Sequence, residues 1–376
     1  MDVVQSNIAD LIESRQQSGL YRQRSIANTN QGGLSFMTND YLSLSKNEAL
    51  KHHYAQAYLD YPTGSGGSPV NGGRSEAHER LENRIAQLTG CDTAVLFNSG
   101  YQANLAILSL LGRLEIPVVI DKAIHASVYD GIQLGKVAYS RFRHIDAEHL
   151  ESKLSPHKMV ITEGMFSMSG LVPPLDRYRD LVAKHQCGLM VDEAHSFGVL
   201  GQNGMGACEH FQIHQHQVPL RMISFAKSAA SMGAAVVGQS QWIDALIQFA
   251  RPYTYSTTMS SALAQGLNHT LDAIVEACDA RQHLRALSEY FKQKALDSGM
   301  AWRFTLTPIK QLQLGCAETA QKFKNYLHNH DIHAQLIRSP TVPVKESGLR
   351  ISLNACHKMA DIDRLFEALA KANALI

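Results

Sequence analysis

The sequence predicts an α/β protein: a large, mostly parallel sheet with helices on both faces, followed by a smaller C-terminal α/β domain. Three observations carry that prediction. Short apolar runs, several of them β-branched, alternate with longer helical patterns. After about residue 270 the texture changes to long helical stretches. The chain has 376 residues, 45% apolar and 18% charged, and a single core usually stops growing at roughly 250–300 residues.

The elements follow in order. Residues 1–20 read as one amphipathic helix with Val4, Ile8, Leu11 and Ile12 on one side. Strands are expected at Thr93–Phe97, Val118–Ile120, Met159–Thr162, Leu189–Val191, Met222–Phe225 and Ala234–Val237, each too short for a helix. Helical stretches such as Glu76–Leu88 and Leu175–His185 lie between them. Leu271–Leu296 reads as nearly continuous helix, followed by a strand at Ile309–Leu314, a helix at Ala317–His328 and a strand at Leu349–Leu353. Ile362, Leu365, Phe366 and Leu369 form the stripe of a last helix. The expected division is an N-terminal helix and arm at 1–45, a large domain at 46–270 and a small domain at 271–376. No internal repeat or low-complexity tract interrupts it.

Charge and composition exclude several functions. Thirty-five Lys plus Arg against thirty-four Asp plus Glu leave +1, too little to neutralise a nucleic-acid backbone. The most apolar stretch, Ala229–Gly238, is broken by Ser231 and Gly233 and falls short of the ~20 residues a helical membrane span needs. Asp2, Asp10 and Glu13 do not fit a signal peptide. Six cysteines without a CxxC pair read as reduced, mostly buried thiols of a cytoplasmic protein. His210, His214 and His216, and His328, His330 and His333, lack a completing acid or cysteine, so surface histidines are expected there and no metal. Gly64-Ser65-Gly66-Gly67-Ser68-Pro69 has Pro69 where a dinucleotide fingerprint needs its third glycine, and no Gly-Lys-Ser/Thr is present.

Ligands of open α/β sheets sit beyond the carboxyl ends of the strands. Asn98-Ser99-Gly100-Tyr101-Gln102 follows the first strand and opens a helix, which offers free amides and a positive dipole end to an anion, or else is an ordinary turn. His125 follows the second strand; alone it reads as structural. Glu163-Gly164-Met165-Phe166-Ser167 reads alone as a strand end and turn. Asp192-Glu193-Ala194-His195 puts an acid at the tip of a buried strand, costly without a partner, and favours function over a helix cap or buried ion pair. Lys227, after Met222–Phe225, either snorkels to solvent or is a desolvated amine able to attack a carbonyl. Together the lysine, the acid 35 residues before it, the histidine and the anion site are the parts of a pyridoxal-phosphate site. The aldehyde needs an amine, the ring nitrogen a carboxylate, the ring face a planar neighbour and the phosphate amides.

With those residues in place, the chain resembles the α-oxoamine synthases, a family of fold-type I pyridoxal-phosphate transferases, over nearly its whole length. The most specific stretches are Gly64-Ser65-Gly66-Gly67-Ser68, Phe97-Asn98-Ser99-Gly100-Tyr101, Thr162–Met168 and Val191-Asp192-Glu193-Ala194-His195. Asn39-Asp40-Tyr41-Leu42, Tyr255–Met259 and Arg338–Pro343 add to them. The resemblance implies that Lys227 holds the cofactor and moves the substrate Cα proton, that Asp192 pairs with the ring nitrogen and that His125 stacks on the ring. It gives His195 and Ser167 the ring hydroxyl or reacting carbonyl, and the phosphate to Gly100, Tyr101 and Ser224. Thr257 or Thr258 would reach the phosphate of a neighbouring subunit, implying a homodimer with its active site at the interface. Arg350 would clamp the substrate carboxylate as a fork. Arg22 and Thr341 would touch substrate. The implied reaction, in the biotin-pathway branch of the family, is decarboxylative condensation of L-alanine with a pimeloyl thioester of CoA or a carrier protein. Other branches take glycine or make long-chain aminoketones.

Two departures stand out. Relatives usually place glycines after the lysine, where this chain has Ser228-Ala229-Ala230. Pro69-Val70-Asn71-Gly72-Gly73 replaces a bulkier run. Ser224-Phe225-Ala226-Lys227 also fits the Ser-x-x-Lys pattern of penicillin-binding proteins, but their Ser-Asp-Asn and Lys-Thr-Gly partners are missing. A catalytically silent scaffold would have no chemical need for Lys227, Asp192, His125, His195 and Arg350 together.

Overall fold

The computed structural model describes residues 1–18, 20–22, 24 and 33–375. It divides into two compact units, Met1–Gly33 and Leu34–Ile376. The first holds the expected helix, Asp2–Gln17, with Val4, Ile8, Leu11 and Ile12 all exposed.

The second unit is built on two sheets and a short strand pair. In chain order its strands are β1 Leu34–Ser35, β2 Thr93–Phe97, β3 Val118–Asp121, β4 Tyr139–Phe142, β5 Met159–Glu163, β6 Gly188–Asp192, β7 Leu220–Ser224 and β8 Ala234–Gly238. They continue with β9 Trp302–Arg303, β10 Ile309–Gln313, β11 Ile332–His333, β12 Gln335–Ile337 and β13 Gly348–Ser352. The large sheet has seven strands in the order β2-β8-β7-β6-β5-β3-β4. The run from β4 to β7 is parallel, and β8 is antiparallel to both its neighbours.

Helices cover both faces of the large sheet. Alternate strand residues such as Ile120, Ile161, Met190 and Met222 pack one way, against Ile107, Leu111 and Val128. Val119, Val160, Leu189 and Val191 pack the other way, with Leu175 and Tyr178. Burial on both faces is why these strands read as unbroken apolar runs. Edge strand β4, with Tyr139 exposed and Phe142 buried, carries no such run and escapes sequence reading. Strand β7 begins two residues before the expected Met222 because Arg221 lies inside it, buried against Glu193.

The helix expected at Leu271–Leu296 is two helices, Ser261–Glu276 and Cys278–Asp297, broken at Ala277. A one-residue break barely disturbs the apolar period, so the sequence conceals it. The first helix sends Leu267, Leu271 and Ile274 to the large sheet's core. The second sends Leu284, Leu287 and Phe291 to the core of the small sheet. That antiparallel sheet has the order β12-β13-β10-β9. β1 pairs with β11, and Phe36 and Tyr41 join the same core. The stretch after residue 33 is thereby fastened beside the C-terminal part of the chain.

Candidate active site

The carboxyl ends of β5, β6 and β7 open onto one cavity. It brings together Lys227, Asp192, His125, His195 and Ser224 with Gly100 and Tyr101. Asn104, Ser127, Glu163, Ala194 and Met222 also line it, and none of the five was assigned a site role from the sequence.

Asp192 ends β6 and is 3% exposed. Its Oδ1 accepts from the Ala194 amide at 3.0 Å and its Oδ2 from Asn104 Nδ2 at 3.0 Å. Lys227 follows β7 in the Phe225–Ser231 turn, where the Ala230 amide donates to the Lys227 carbonyl at 2.8 Å. Burial holds the Lys227 amine below the usual lysine range, against the pull of the Asp192 and Glu163 carboxylates. No described residue hydrogen-bonds its Nζ. Ala230 closes this turn at φ 48°, a left-handed backbone that glycine adopts without strain.

Glu163 ends β5. Its Oε2 accepts from the Ser167 amide at 3.1 Å, while buried Oε1 has no partner among the described residues. Burial, reinforced by Asp192, pushes its carboxyl up to about 8. His195 is 5% exposed, and its Nδ1 sits 2.8 Å from the Tyr41 hydroxyl. Burial drives this imidazole well below its ordinary range, with Lys227 and Arg350 adding repulsion. It is therefore neutral at pH 7.

His125 caps the helix Ala126–Gly135, and its Nδ1 accepts from the Ser127 amide at 3.2 Å. Its residue surface is exposed toward the cavity while burial of the imidazole lowers its pKa. Gly100 and Tyr101 are the first two residues of the helix Gly100–Arg113. Ser99 Oγ takes the Gln102 amide at 3.2 Å, and the Gly100 and Tyr101 amides donate to no described residue. A Cβ on Gly100 would meet the Met222 thioether at 3.1 Å, so a side chain here would have to displace Met222. Ser224 lies beside Gly100.

Arg350, on β13, is 1% exposed. Nε donates to the Ser167 carbonyl at 2.7 Å, Nη1 to Ser352 Oγ at 2.7 Å and Gln335 Oε1 at 3.3 Å, and Nη2 to Asn39 Oδ1 at 2.9 Å and the Tyr41 hydroxyl at 3.4 Å. All five acceptors are neutral, and among the described residues no carboxylate pairs with this guanidinium. A buried cation held only by neutral groups is a place for an anion from outside.

Other expected residues lie elsewhere. Thr257 is exposed and gives its carbonyl to Asn98 Nδ2 at 2.7 Å. The Thr258 amide donates to the Gly67 carbonyl at 3.1 Å. Thr341 is exposed in the loop after β12. Arg22 is exposed in the first unit. Neither Thr257, Thr258 nor Thr341 lines the cavity described. Tyr101 turns its hydroxyl to the Asp130 carboxylate.

The sequence did carry a signal for Asn104: an amide between Ala103 and Ala106 on the buried side of an apolar helix. Tyr41 and Asn39 lie far upstream in sequence and are placed by the β1–β11 pairing together with bonds such as the Ala355 amide to the Tyr41 carbonyl at 2.9 Å.

The unpartnered Lys227 amine, the orphan Glu163 oxygen and the open helix amides fit a group bearing a carbonyl and a phosphate. The model of the family described as aminotransferase class I and II matches residues 32–369. An 8-amino-7-oxononanoate synthase of Hahella chejuensis is 38% identical, over 97% of this chain and 96% of its own. The crystal structure of 8-amino-7-oxononanoate synthase from Francisella tularensis is 30% identical with a TM-score of 0.83, covering 92% of this chain and 98% of that one. A structure of SPT with PLP as an internal aldimine is 25% identical with a TM-score of 0.90, covering 98% of each chain.

Proposed function

We propose that this chain, which belongs to the aminotransferase class I and II family, is a pyridoxal-phosphate-dependent acyltransferase of biotin biosynthesis. It condenses L-alanine with a pimeloyl thioester, giving 8-amino-7-oxononanoate, carbon dioxide and the free thiol. The single observation that carries the reading is the buried, unpartnered Lys227 amine facing Asp192 and Glu163 in a chain similar to 8-amino-7-oxononanoate synthases along nearly its full length.

Lys227 would attach the cofactor, Asp192 would take its ring nitrogen, and the Gly100 and Tyr101 amides with Ser224 its phosphate. Bound there, the cofactor supplies an electron sink for the amino acid's Cα. The chain's own groups do the rest. Lys227, held below its usual pKa, moves a proton at that Cα. Asp192 is gripped by two donors, which fix its orientation. His195 keeps Nδ1 on Tyr41, which leaves Nε2 for an oxygen of the reacting group. Arg350 takes the substrate carboxylate by exchanging some of its neutral acceptors for a charged one. Ser167, whose carbonyl holds Arg350 and whose amide holds Glu163, ties the two together. Thr257 and Thr258, outside this chain's own cavity, suit contact across a pair of chains. By the resemblance, Arg22 would serve the acyl substrate, and Thr341 would touch substrate.

The test is visible absorbance of the purified protein titrated with L-alanine and, separately, glycine, then with pimeloyl-CoA and pimeloyl-carrier protein. A pyridoxal band that shifts with alanine, is lost in Lys227→Ala and leads to aminoketone with one of the thioesters is expected. A shift with glycine instead would move the chain to another branch. No band after cofactor addition would sink the reading.

A further inference from the structure

Behind the cavity wall, one hydrogen-bonded chain joins Asp192 to His125. Asn104, 1% exposed, uses its single amide nitrogen twice: Nδ2 donates to Asp192 Oδ2 at 3.0 Å and to Ser127 Oγ at 2.9 Å. Ser127 is fully buried. With its oxygen accepting from Asn104, its hydroxyl proton is directed to His125 Nδ1 at 2.8 Å. The Ser127 amide donates to the same Nδ1. Every donor in this chain points one way, from the amide nitrogen outward.

That polarity has consequences at both ends. An amide N–H can only donate, so Asn104 supports Asp192 as an acceptor and favours its carboxylate form. The flipped amide would set its oxygen against that carboxylate, which fixes the orientation. At the other end, an Nδ1 that accepts two hydrogen bonds carries no proton. His125 is then the neutral tautomer with its proton on Nε2. The charged groups that act on His125 are Asp192, Lys227 and Asp130, on three separate elements, and burial outweighs them in favour of the neutral ring.

We propose that Asn104 and Ser127 are positioning residues that hold the Asp192 carboxyl in a fixed orientation and lock His125 as a neutral Nε2–H imidazole, setting the two groups that would flank the cofactor ring. The consequence for the cofactor rests on the pyridoxal reading above; the lock itself does not. Asn104 Oδ1, buried without a partner among the described residues, remains as an acceptor beside Asp192.

The experiment follows the histidine rings by 15N NMR in cofactor-free protein, with His125 assigned from His125→Gln. The expected wild-type signal is the neutral Nε2–H tautomer. Ser127→Ala and Asn104→Leu should each mix the tautomers and raise the His125 pKa, and Ser127→Thr should restore both. If Ser127→Ala does not fold, Ser127→Cys, a weaker donor of similar size, takes its place. In cofactor-loaded protein, the same variants should shift the pH midpoint of the visible band and weaken cofactor retention by about 10–100-fold, the range for disturbed supporting hydrogen bonds at a bound group. Variants that lose only thermal stability, with unchanged His125 tautomer and pKa, would overturn the proposal. Absence of any visible band in the wild type would remove the pyridoxal reading and leave the NMR result to decide the lock by itself.

Discussion

Asp192 and Glu193 are adjacent carboxylates at one strand tip, and they face opposite sides of the large sheet. Glu193 is satisfied completely. Its Oε1 takes Arg221 Nη2 at 3.1 Å and the Cys208 amide at 2.9 Å, and its Oε2 takes the Ala207 amide at 2.7 Å and the Ser196 hydroxyl. It caps the helix Ala207–His210 and needs nothing further. On Asp192's side, Lys227 lacks a hydrogen-bond partner, Glu163 has a bare oxygen, and Arg350 has no anion among the described residues. Both faces bury charge at similar depth. Arg221 Nε is also buried without a partner among the described residues, so the difference teaches that a matched counter-charge, more than burial, separates a structural ion pair from a binding site.

The largest expected effect breaks the satisfied side. Arg221→Met leaves Glu193 buried without its cation and should cost about 3–5 kcal/mol in denaturant unfolding. A loss under about 1 kcal/mol would mean the pair is not holding the fold. On the open side, Asp192→Asn should leave unfolding nearly unchanged and lower turnover on the order of 10²-fold, as loss of a preorganised charge does. Equal stability losses in the two variants would erase the contrast between the faces.

Arg350→Lys keeps the charge and removes the fork. It should raise KM for the amino acid about tenfold to a hundredfold with a smaller change in kcat, from the 1.5–3 kcal/mol range of charged hydrogen bonds. An unchanged KM would remove the clamp from the mechanism.

Lys310, on the neighbouring strand β10, sharpens the comparison further. It is 2% exposed, with only the Thr305 carbonyl at 2.8 Å, the Ser288 carbonyl at 3.4 Å and the Phe291 ring for company. Burial lowers its amine from 10.5 to about 7. The folded value lies below the unfolded one, so stability is greatest above 10.5, declines as pH falls toward 7, and is level below that. Lys310→Met should therefore raise the melting temperature at pH 6 by more than at pH 10. A pH-independent difference would show that the amine does not titrate in the fold.

The smallest effect concerns the turn after Lys227. Ala230→Gly removes the left-handed alanine and should stabilise by about 1 kcal/mol, read as a slightly higher unfolding midpoint. A lower midpoint would mean the methyl group is packed rather than strained.

The same contrast explains what the sequence made legible. Lys227, Asp192, His125 and His195 stand at strand tips, and strand tips are visible as the ends of apolar runs. The break at Ala277 was hidden because it leaves the helical period almost intact. Glu163 was read as a turn because its significance lies in its distance from Asp192, which no one-dimensional pattern carries. Asn104 and Tyr41 act through partners 88 and 154 residues away. Arg221 disguised the start of β7 because a charge inside a buried strand makes sense only once Glu193 is opposite it.

The pairing of Leu34 with Ile332 also sets a schedule. Asn39 and Tyr41, which hold Arg350 and His195, leave the ribosome long before Arg350 does. At about 5–20 residues per second, nearly three hundred residues of synthesis separate the two partners by on the order of 15–60 s. Throughout that interval the early stretch has no strand to pair with. The large sheet can form while it waits, but the buried Arg350 and its holders meet only once β13 has been made. A nascent chain stalled before residue 332 would thus hold the residues at the tips of β5, β6 and β7, and Asn39 and Tyr41, but not the arginine they hold.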